Sequence, residues 1–361
     1  MKTIVQVVQH LSPGGIETMV LELAAFAPAN ERVVIVSLEG FKTEALVKWP
    51  RLLPFSEQLV FLNKQPGIQP TIISKLKNIF RTLKADVVHT HHVGPLLYAG
   101  LAARLANIPC LLHTEHDAWH LENPRRRFLQ RNLIKYVKPI LVADASTVAN
   151  AMQRHLDTTD IHIIRNGIDS ERFIPGDKSA ARIKFNLPQA KKIIGCSGRL
   201  EKVKGQHLLI EALHLMPANI HLALAGIGSE ESVLREQVKA LNIQDQVHFL
   251  GRIDEMPTFY QALDVFCLPS LNEGMPLSPL EAQACDIPSV VTDVGGASEA
   301  VCTSSGALVP PNQPLDIASN ILRLIDYPSS TSPRNFVKRY GDIQKMLASY
   351  RDLYEKGECY E

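Results

Sequence analysis

Short runs rich in valine and isoleucine alternate with amphipathic stretches of helical period along the whole chain, and the pattern is played through twice. Parallel neighbours cannot be joined by a tight turn, so strict strand–helix alternation points to parallel sheets wrapped by crossover helices. In the first half, strands are expected at 3–9, 32–38, 58–62, 86–90, 110–114, 140–143 and 161–164. A helix is expected at 16–26, where Met19, Val20, Leu23 and Ala24 share a face and Pro28 supplies the stop. The alternation lapses over 165–177, through Asn166-Gly167-Ile168-Asp169 and Pro175-Gly176, and resumes at Lys192, which places an interdomain linker there. Strands are then expected at 193–197, 220–225, 247–250, 265–269, 289–292 and 307–309, helices at 206–215 and 230–241, and one or two helices over 334–356. A chain of 361 residues is long enough for two doubly wound domains of similar order, and no solenoid-type repeat is present.

Composition removes several function classes. An apolar fraction of 45% beside a charged fraction of 21% describes a chain that folds throughout. Thirty-eight basic against 37 acidic residues argue against a dedicated nucleic-acid binder. The charge is unevenly spread, however: up to residue 165 there are 19 Lys and Arg against 13 Asp and Glu, and thereafter 19 against 24. The first half is therefore suited to an anionic surface. Six cysteines, Cys110, Cys196, Cys267, Cys285, Cys302 and Cys359, form no C-x-x-C pair, a usage that fits a reducing cytosol. The N-terminus runs straight into a strand pattern without a cleavage site, so no secretory signal is expected. The longest apolar stretch, 94–112, is interrupted by Arg104, Asn107 and Pro109 and does not read as a membrane span.

Several turns carry groups that could do chemistry. After the first strand, Gly14 and Gly15 let backbone amides approach an anion where a helix begins, although such glycines often serve only the bend. Neither G-x-G-x-x-G nor G-x-x-x-x-G-K-[ST] occurs, which disfavours a simple NAD enzyme or a P-loop NTPase. Arg199 and Lys204 lie just beyond the first strand of the second half, at the end where open parallel sheets bind ligands. Arg199 offers a fork of donors and Lys204 a point charge, a metal-free way to neutralise a leaving diphosphate. Glu273 and Glu281 stand eight residues apart across a turn, Gly274-Met275-Pro276-Leu277-Ser278, that opens a helix; the Leu277 and Ser278 amides are free for phosphate. A carboxylate accepts two hydrogen bonds from a vicinal diol, which suits Glu281 to a ribose and Glu273 to a sugar ring.

Taken together, Gly14-Gly15, Asn166-Gly167-Ile168-Asp169, Gly198-Arg199-Leu200 with Lys204-Gly205, Pro269-Ser270 and the E-x7-E pair resemble the GT-B fold glycosyltransferases of the family 4 group. The resemblance covers nearly the whole chain, in family order and spacing. It implies an α/β chain of two doubly wound Rossmann-like domains with parallel sheets facing across a cleft. Residues 1–168 would be the acceptor-side domain and 169–339 the nucleotide-sugar domain, with a C-terminal helix at about 340–361 packing back on the first. The implied donor is a nucleotide-diphosphate sugar, with Arg199 and Lys204 on the diphosphate, Glu281 on the ribose and Glu273 on the transferring sugar. Gly14 and Gly15 would close over the phosphates, and Gly251, Arg252 and Ile253 would lie beside the base. Asp286 stands where the family usually has glycine before a proline, and Met275-Pro276 fills a variable position of the loop.

His89, His91, His92, His113, His116 and His120 crowd one third of the first half and raise the question of a metal. With no H-E-x-x-H and no D-x-D, neither a metal nor another cofactor is expected, the nucleotide sugar being a substrate. In the family a histidine at the end of a first-domain strand sits beside the donor sugar; His113 is the best match and His116 the next. His89 and His120 read as polar loop residues. Residues 124–138 carry six cations and no acid on a helical pattern with an apolar stripe, which suits either an ordinary solvated face or docking on anionic lipid.

The reading is thus a cytoplasmic, metal-independent retaining hexosyltransferase, placed peripherally on the membrane's inner face if the basic helix docks there. It would use a nucleotide sugar, UDP-linked by family preference, and a glycan or lipid-linked acceptor of the surface-polysaccharide or lipopolysaccharide type. A non-hydrolysing epimerase, a phosphorylase, or a sugar-nucleotide-binding protein without catalysis are the alternatives.

Overall fold

The computed structural model describes residues 1–357; Cys359 and the last residues of the expected tail helix lie outside the described residues. The chain divides into two compact units, one comprising 1–165 with the segment from 346 onward, the other 166–345.

The first unit is a seven-stranded sheet made of β1 (Lys2–Val8), β2 (Glu31–Ser37), β3 (Leu59–Phe61), β4 (Val87–His91), β5 (Cys110–Glu115), β6 (Ile140–Ala143) and β7 (Ile161–Ile163). All pairs are parallel, in the order β3-β2-β1-β4-β5-β6-β7. Ile4 to Val8 are buried on both faces, as expected of a strand covered by helices on either side. Val5, Val7, Val34 and Val36 pack against Ile72, Leu76 and Phe80 of the helix Thr71–Leu83. The helix Gly15–Ala25 buries Met19, Val20, Leu23 and Ala24, the face its periodicity marks out.

The second unit contains β8 (Lys192–Ser197), β9 (Ile220–Ala225), β10 (Val247–Gly251), β11 (Val265–Leu268), β12 (Ser289–Thr292) and β13 (Ala307–Val309). They form a parallel sheet in the order β10-β9-β8-β11-β12-β13, the strand order of a doubly wound sheet. In both sheets the strand order reverses beside the first strand of the unit, between β1 and β4 and between β8 and β11. Loops leaving the carboxyl ends of those strands diverge to opposite faces and leave a crevice.

Every expected strand is present, with ends displaced by at most one residue. The alternation missed a short helix, Lys178–Lys184, inside the gap before β8. Asp177 caps it by accepting from the amides of Ser179 and Ala180, and the buried Arg182 anchors it to Asp264 at 2.6 Å. His89 departs from its reading as a loop residue. It lies within β4, fully buried, with Nδ1 2.9 Å from the Tyr354 hydroxyl and Nε2 2.8 Å from Thr114 Oγ1. A strand covered on both faces buries all of its side chains, and here Tyr354 of the C-terminal helix Ile343–Lys356 and Thr114 of β5 supply the polar partners of His89, Tyr350 in turn bonding to Thr114.

Candidate active site

The second unit's switch point is tied together by polar contacts between the ends of three strands. After β8 the chain passes through Gly198 and Arg199 into a tight turn, Lys202–Lys204, closed by Gly205. Gly205 has φ +68, and a side chain there would drive into the carbonyl of Pro269 beyond β11, so glycine alone lets these two loops touch. Lys204 Nζ donates to Glu273 Oε1 at 2.7 Å, and Ser270 Oγ donates to the same oxygen at 2.6 Å. Thr292, the last residue of β12, donates to the Ser270 carbonyl at 2.6 Å. Glu273 is buried while Lys204 is only partly so, which leaves the ammonium at the accessible edge of a fixed carboxylate. Arg199 projects further out, 62% exposed, with Nη1 2.8 Å from Glu201.

Glu281 sits in the helix Leu277–Ala284, whose first turn is formed by Leu277, Ser278 and Pro279. Its Oε2 accepts from the Tyr260 hydroxyl at 2.6 Å, and that hydroxyl lies 3.1 Å from Ser197 Oγ at the end of β8. Burial and the neighbouring Glu281 hold the Tyr260 phenol well above its usual range, so it remains a hydrogen-bond donor that orients the carboxylate. The intervening loop of Gly274, Met275 and Pro276 is held by Asn166, whose side-chain amide donates to the Met275 carbonyl at 2.8 Å. Gly251 closes β10 with φ +66, its carbonyl accepting from Gly226; Arg252 lies 3.4 Å from Asp254, and Ile253 is half-buried. Asp286 keeps the left-handed turn that glycine would favour, at φ 66, and its carboxylate accepts from Ser332 Oγ at 2.5 Å.

In the first unit Gly14 caps the helix that starts at Gly15, in extended backbone. The histidines are interlinked. His113 is fully buried, with Nδ1 3.0 Å from Thr90 Oγ1 and Nε2 3.3 Å from Glu115. His116 is also buried, 3.0 Å from His91 and 3.4 Å from Asp144. Burial and the charge of His92 lower its pKa to about 3, so it is neutral at physiological pH. His92 is pulled down by burial but raised further by its bond to Glu115, and Glu115 itself, despite burial, is held well below the usual carboxylate range by His113 and His92. Among the described residues no group of three or more His, Cys, Asp and Glu is placed to hold a metal ion.

The basic segment forms the helix Pro124–Val137, capped by Asn123. Its apolar residues divide between two faces. Leu133, Ile134 and Val137 turn inward, while Phe128, Leu129 and Tyr136 are exposed together with Arg125, Arg126 and Lys135. Arg131 pairs with Asp157 at 2.8 Å. No helix is long and apolar enough to cross a membrane, among the described residues.

Structure therefore brings Lys204, Glu273 and Ser270 into one cluster and Glu281, Tyr260 and Ser197 into a second beside it. Ser270, Tyr260 and Asn166 had no assigned role from sequence. Hydroxyl and amide partners follow no spacing rule: Ser270 and Asn166 entered only as members of the motifs that carry the resemblance, and the contacts they make appear with the tertiary approach of the loops.

Two Rossmann-like units, the second with basic and acidic side chains at its switch point, define a two-domain α/β enzyme of the GT-B type. Residues 13–172 match the family model Glycosyltransferase Family 4, and residues 177–341 match Glycosyl transferases group 1. The chain belongs to the GT-B fold glycosyltransferases related to these two families. It is 28% identical, over 77% of its length and 77% of the relative's, to the UDP-Gal:alpha-D-GlcNAc-diphosphoundecaprenol alpha-1,3-galactosyltransferase of Escherichia coli. It is 35% identical to the lipopolysaccharide core biosynthesis mannosyltransferase LpsB of Rhizobium meliloti over 48% of the chain, a stretch that spans 50% of that enzyme. Anabaena HepE in complex with UDP and glucose superposes with a TM-score of 0.87 at 21% identity, covering 99% of this chain and 100% of the other.

Proposed function

We propose that this protein transfers a hexose, with retention and without a metal, from a nucleotide-diphosphate donor to a glycan or lipid-linked acceptor in surface polysaccharide or lipopolysaccharide synthesis. The observation that carries the reading is the convergence of Lys204, Glu273 and Ser270 beside Glu281 and Tyr260 at the carboxyl edge of β8 and β11. A glycosidic bond to a diphosphate breaks more easily when the departing charge meets fixed cations and amides. In this reading Arg199 and Lys204 meet the diphosphate, aided by the amides of Gly14, Gly15, Leu277 and Ser278. Glu281, oriented by Tyr260, takes the ribose diol, and Gly251, Arg252 and Ile253 flank the base. Glu273 faces the transferring sugar, in a loop of Gly274, Met275 and Pro276 steadied by Asn166. His113 and its partner Glu115 are both fully buried, so in this reading His113 acts as a positioning residue, through Glu115 and the partly exposed His92 that Glu115 holds, with His116 as the alternative imidazole. The names of the relatives, one acting from a UDP-sugar on a lipid diphosphate and one in lipopolysaccharide core synthesis, support a UDP-sugar and a lipid-linked acceptor. Exposed Arg125, Arg126 and Lys135 beside Phe128, Leu129 and Tyr136 support a cytoplasmic protein that docks peripherally on anionic lipid through 124–138.

The test is a screen of UDP- and GDP-sugars in chelator, with and without bacterial glycolipid extract, reading nucleotide release. Release from one donor, stimulated by extract, is expected. Binding without release, or conversion of the sugar with its nucleotide still attached, would overturn the transferase reading in favour of a binding protein or an epimerase.

A further inference from the structure

His92 occupies an unusual position. It follows β4 at the switch point of the first sheet, and its backbone has φ 68 and ψ 167, a region that glycine alone populates freely. Holding a histidine there costs on the order of 1–3 kcal/mol, and such strain persists only where surrounding bonds enforce it. Here the His92 amide donates to the Thr114 carbonyl at 3.2 Å, and the His92 carbonyl accepts from the Leu96 amide at 3.1 Å. The twist sends the ring against β5. Nδ1 lies 3.1 Å from Glu115 Oε1, while the other oxygen of that fully buried carboxylate accepts from Gln130 at 2.5 Å and from His113 at 3.3 Å. An ionised carboxylate only accepts, so Nδ1 carries a proton; Glu115 and Asp117 together also raise the ring's pKa and favour its cationic form, in which Nε2, the nitrogen left to face outward, carries a proton as well.

That outward nitrogen meets a second carboxylate without bonding it. His92 Nε2 is 3.7 Å from Asp117 Oδ2, beyond hydrogen-bond reach, and both side chains are partly exposed, His92 at 30% and Asp117 at 15%. Asp117 is fixed from its other oxygen by His120 Nδ1 at 3.2 Å. A donor and an acceptor, each anchored from behind and just too far apart to satisfy one another, match a hydroxyl, which accepts from one and donates to the other. The remaining titratable neighbours, His116 against the His92 ring edge and His120 behind Asp117, bring no second cation to the outward side of Nε2.

We propose that His92 and Asp117 form a hydroxyl-binding pair for a hexose ring, with Glu115 as the positioning residue that aims His92. The pair rests on the glycosyltransferase reading only for naming the hydroxyl as that of a sugar. The ring is either that of the donor or that of the acceptor, and the two sources give different responses below.

The test uses the full chain with 15N-labelled histidine. Imidazole spectra are recorded during addition of methyl α-D-glucopyranoside, galactopyranoside or mannopyranoside, of UDP-glucose, UDP-galactose or GDP-mannose, and of glycerol. A shift of the His92 Nε2 resonance with a methyl hexoside identifies an acceptor ring, and a shift with a nucleotide sugar alone identifies a donor ring. In Asp117→Ala the responding sugar should bind about 10- to 100-fold more weakly, the loss expected for a hydrogen bond to a charged group. In Glu115→Gln, whose amide oxygen still accepts but carries no charge, the His92 imidazole should titrate at a lower pH than in the parent, while circular dichroism shows the fold retained. No response to any sugar, an equal response to glycerol, or undiminished binding in Asp117→Ala overturns the pair. An unchanged His92 titration in Glu115→Gln overturns the positioning role. Should Glu115→Gln not fold, the Nδ1 proton in the parent and the Asp117→Ala titration still decide the matter. Nucleotide release is a separate measurement, so failure of the transferase reading is distinguishable from failure of the pair.

Discussion

Gly295→Ala places a methyl group on the loop after β12, directly against the Glu273 segment. Gly295 has φ +55, and an added Cβ would lie 3.0 Å from the Glu273 carbonyl carbon and closer still to its oxygen. The left-handed backbone costs an alanine roughly 1–2 kcal/mol, and overpacking against rigid backbone about 1–3 kcal/mol more. Backbone cannot rotate away as a side chain would, so the relief must come from moving Glu273, by about 1 Å. Displacements of that size at a reacting centre cost about 100-fold in rate. We therefore expect the melting temperature to fall by roughly 5–10 °C and nucleotide release to fall about 100-fold. Because the methyl acts through Glu273, the double variant Gly295→Ala with Glu273→Ala should be scarcely slower than Glu273→Ala alone. Differential scanning fluorimetry and the nucleotide-release assay read these outcomes. A parent-like melting temperature and rate in Gly295→Ala, or strictly additive rate losses in the double variant, would refute the reasoning.

Arg199→Ala or Lys204→Ala should each lower turnover by a factor on the order of 100 to 1,000, the usual consequence of removing a charge-stabilising donor, and near-normal rates in both would remove them from the diphosphate. His113→Ala should slow transfer while sparing nucleotide binding, measured by calorimetry with UDP; if only His116→Ala does so, the effective imidazole is His116. Burial draws His120 down, but its bonds to Asp117 and Gln130 and the Glu115 charge raise it to about 9, from an ordinary value of 6.5. Its stabilising contribution is full below pH 6.5 and is lost as the pH rises to about 9, whereas that of neutral His116 is full above 6.5 and lost as the pH falls towards about 3. Thermal stability should accordingly peak near pH 6.5, with an alkaline limb that His120→Gln flattens; a melting temperature that climbs steadily to pH 9 would contradict this. Changing Arg125, Arg126 and Arg127 to Glu should abolish flotation with anionic liposomes, and unchanged flotation, or none in the parent, refutes docking.

The strands could be read from the sequence because covered parallel strands are simply apolar runs, such as 33–36 and 193–196. Arg199 and Lys204, beyond the end of β8, and Glu273 and Glu281, on the turn and helix after β11, could be singled out because the fold class says where ligands of such sheets bind. The helix Lys178–Lys184 escaped because about two turns with a single buried cation, Arg182, make no apolar stripe. His89 falls inside the strand expected at 86–90 yet reads as a loop residue, because a polar side chain in a covered strand has no evident place in the interior until its partners, Thr114 and Tyr354, arrive from distant sequence. For His92 the informative quantity is a backbone angle, which no residue identity encodes.

The first unit is assembled from two separate stretches of chain, and this sets an order on its synthesis. Residues 166–345 are continuous, so the second unit has all its parts as soon as they have left the ribosome. The first unit does not, although most of it is made earlier. Gln6 and His89 are each within 3.1 Å of the Tyr354 hydroxyl, and Thr114 is 3.2 Å from that of Tyr350, so these interior polar groups lack those partners until the helix Ile343–Lys356 emerges. Desolvating them early is costly. A nascent chain halted short of residue 346 would therefore carry a finished second unit behind a first unit still loosely packed, and proteases would find the two in reverse order of their translation.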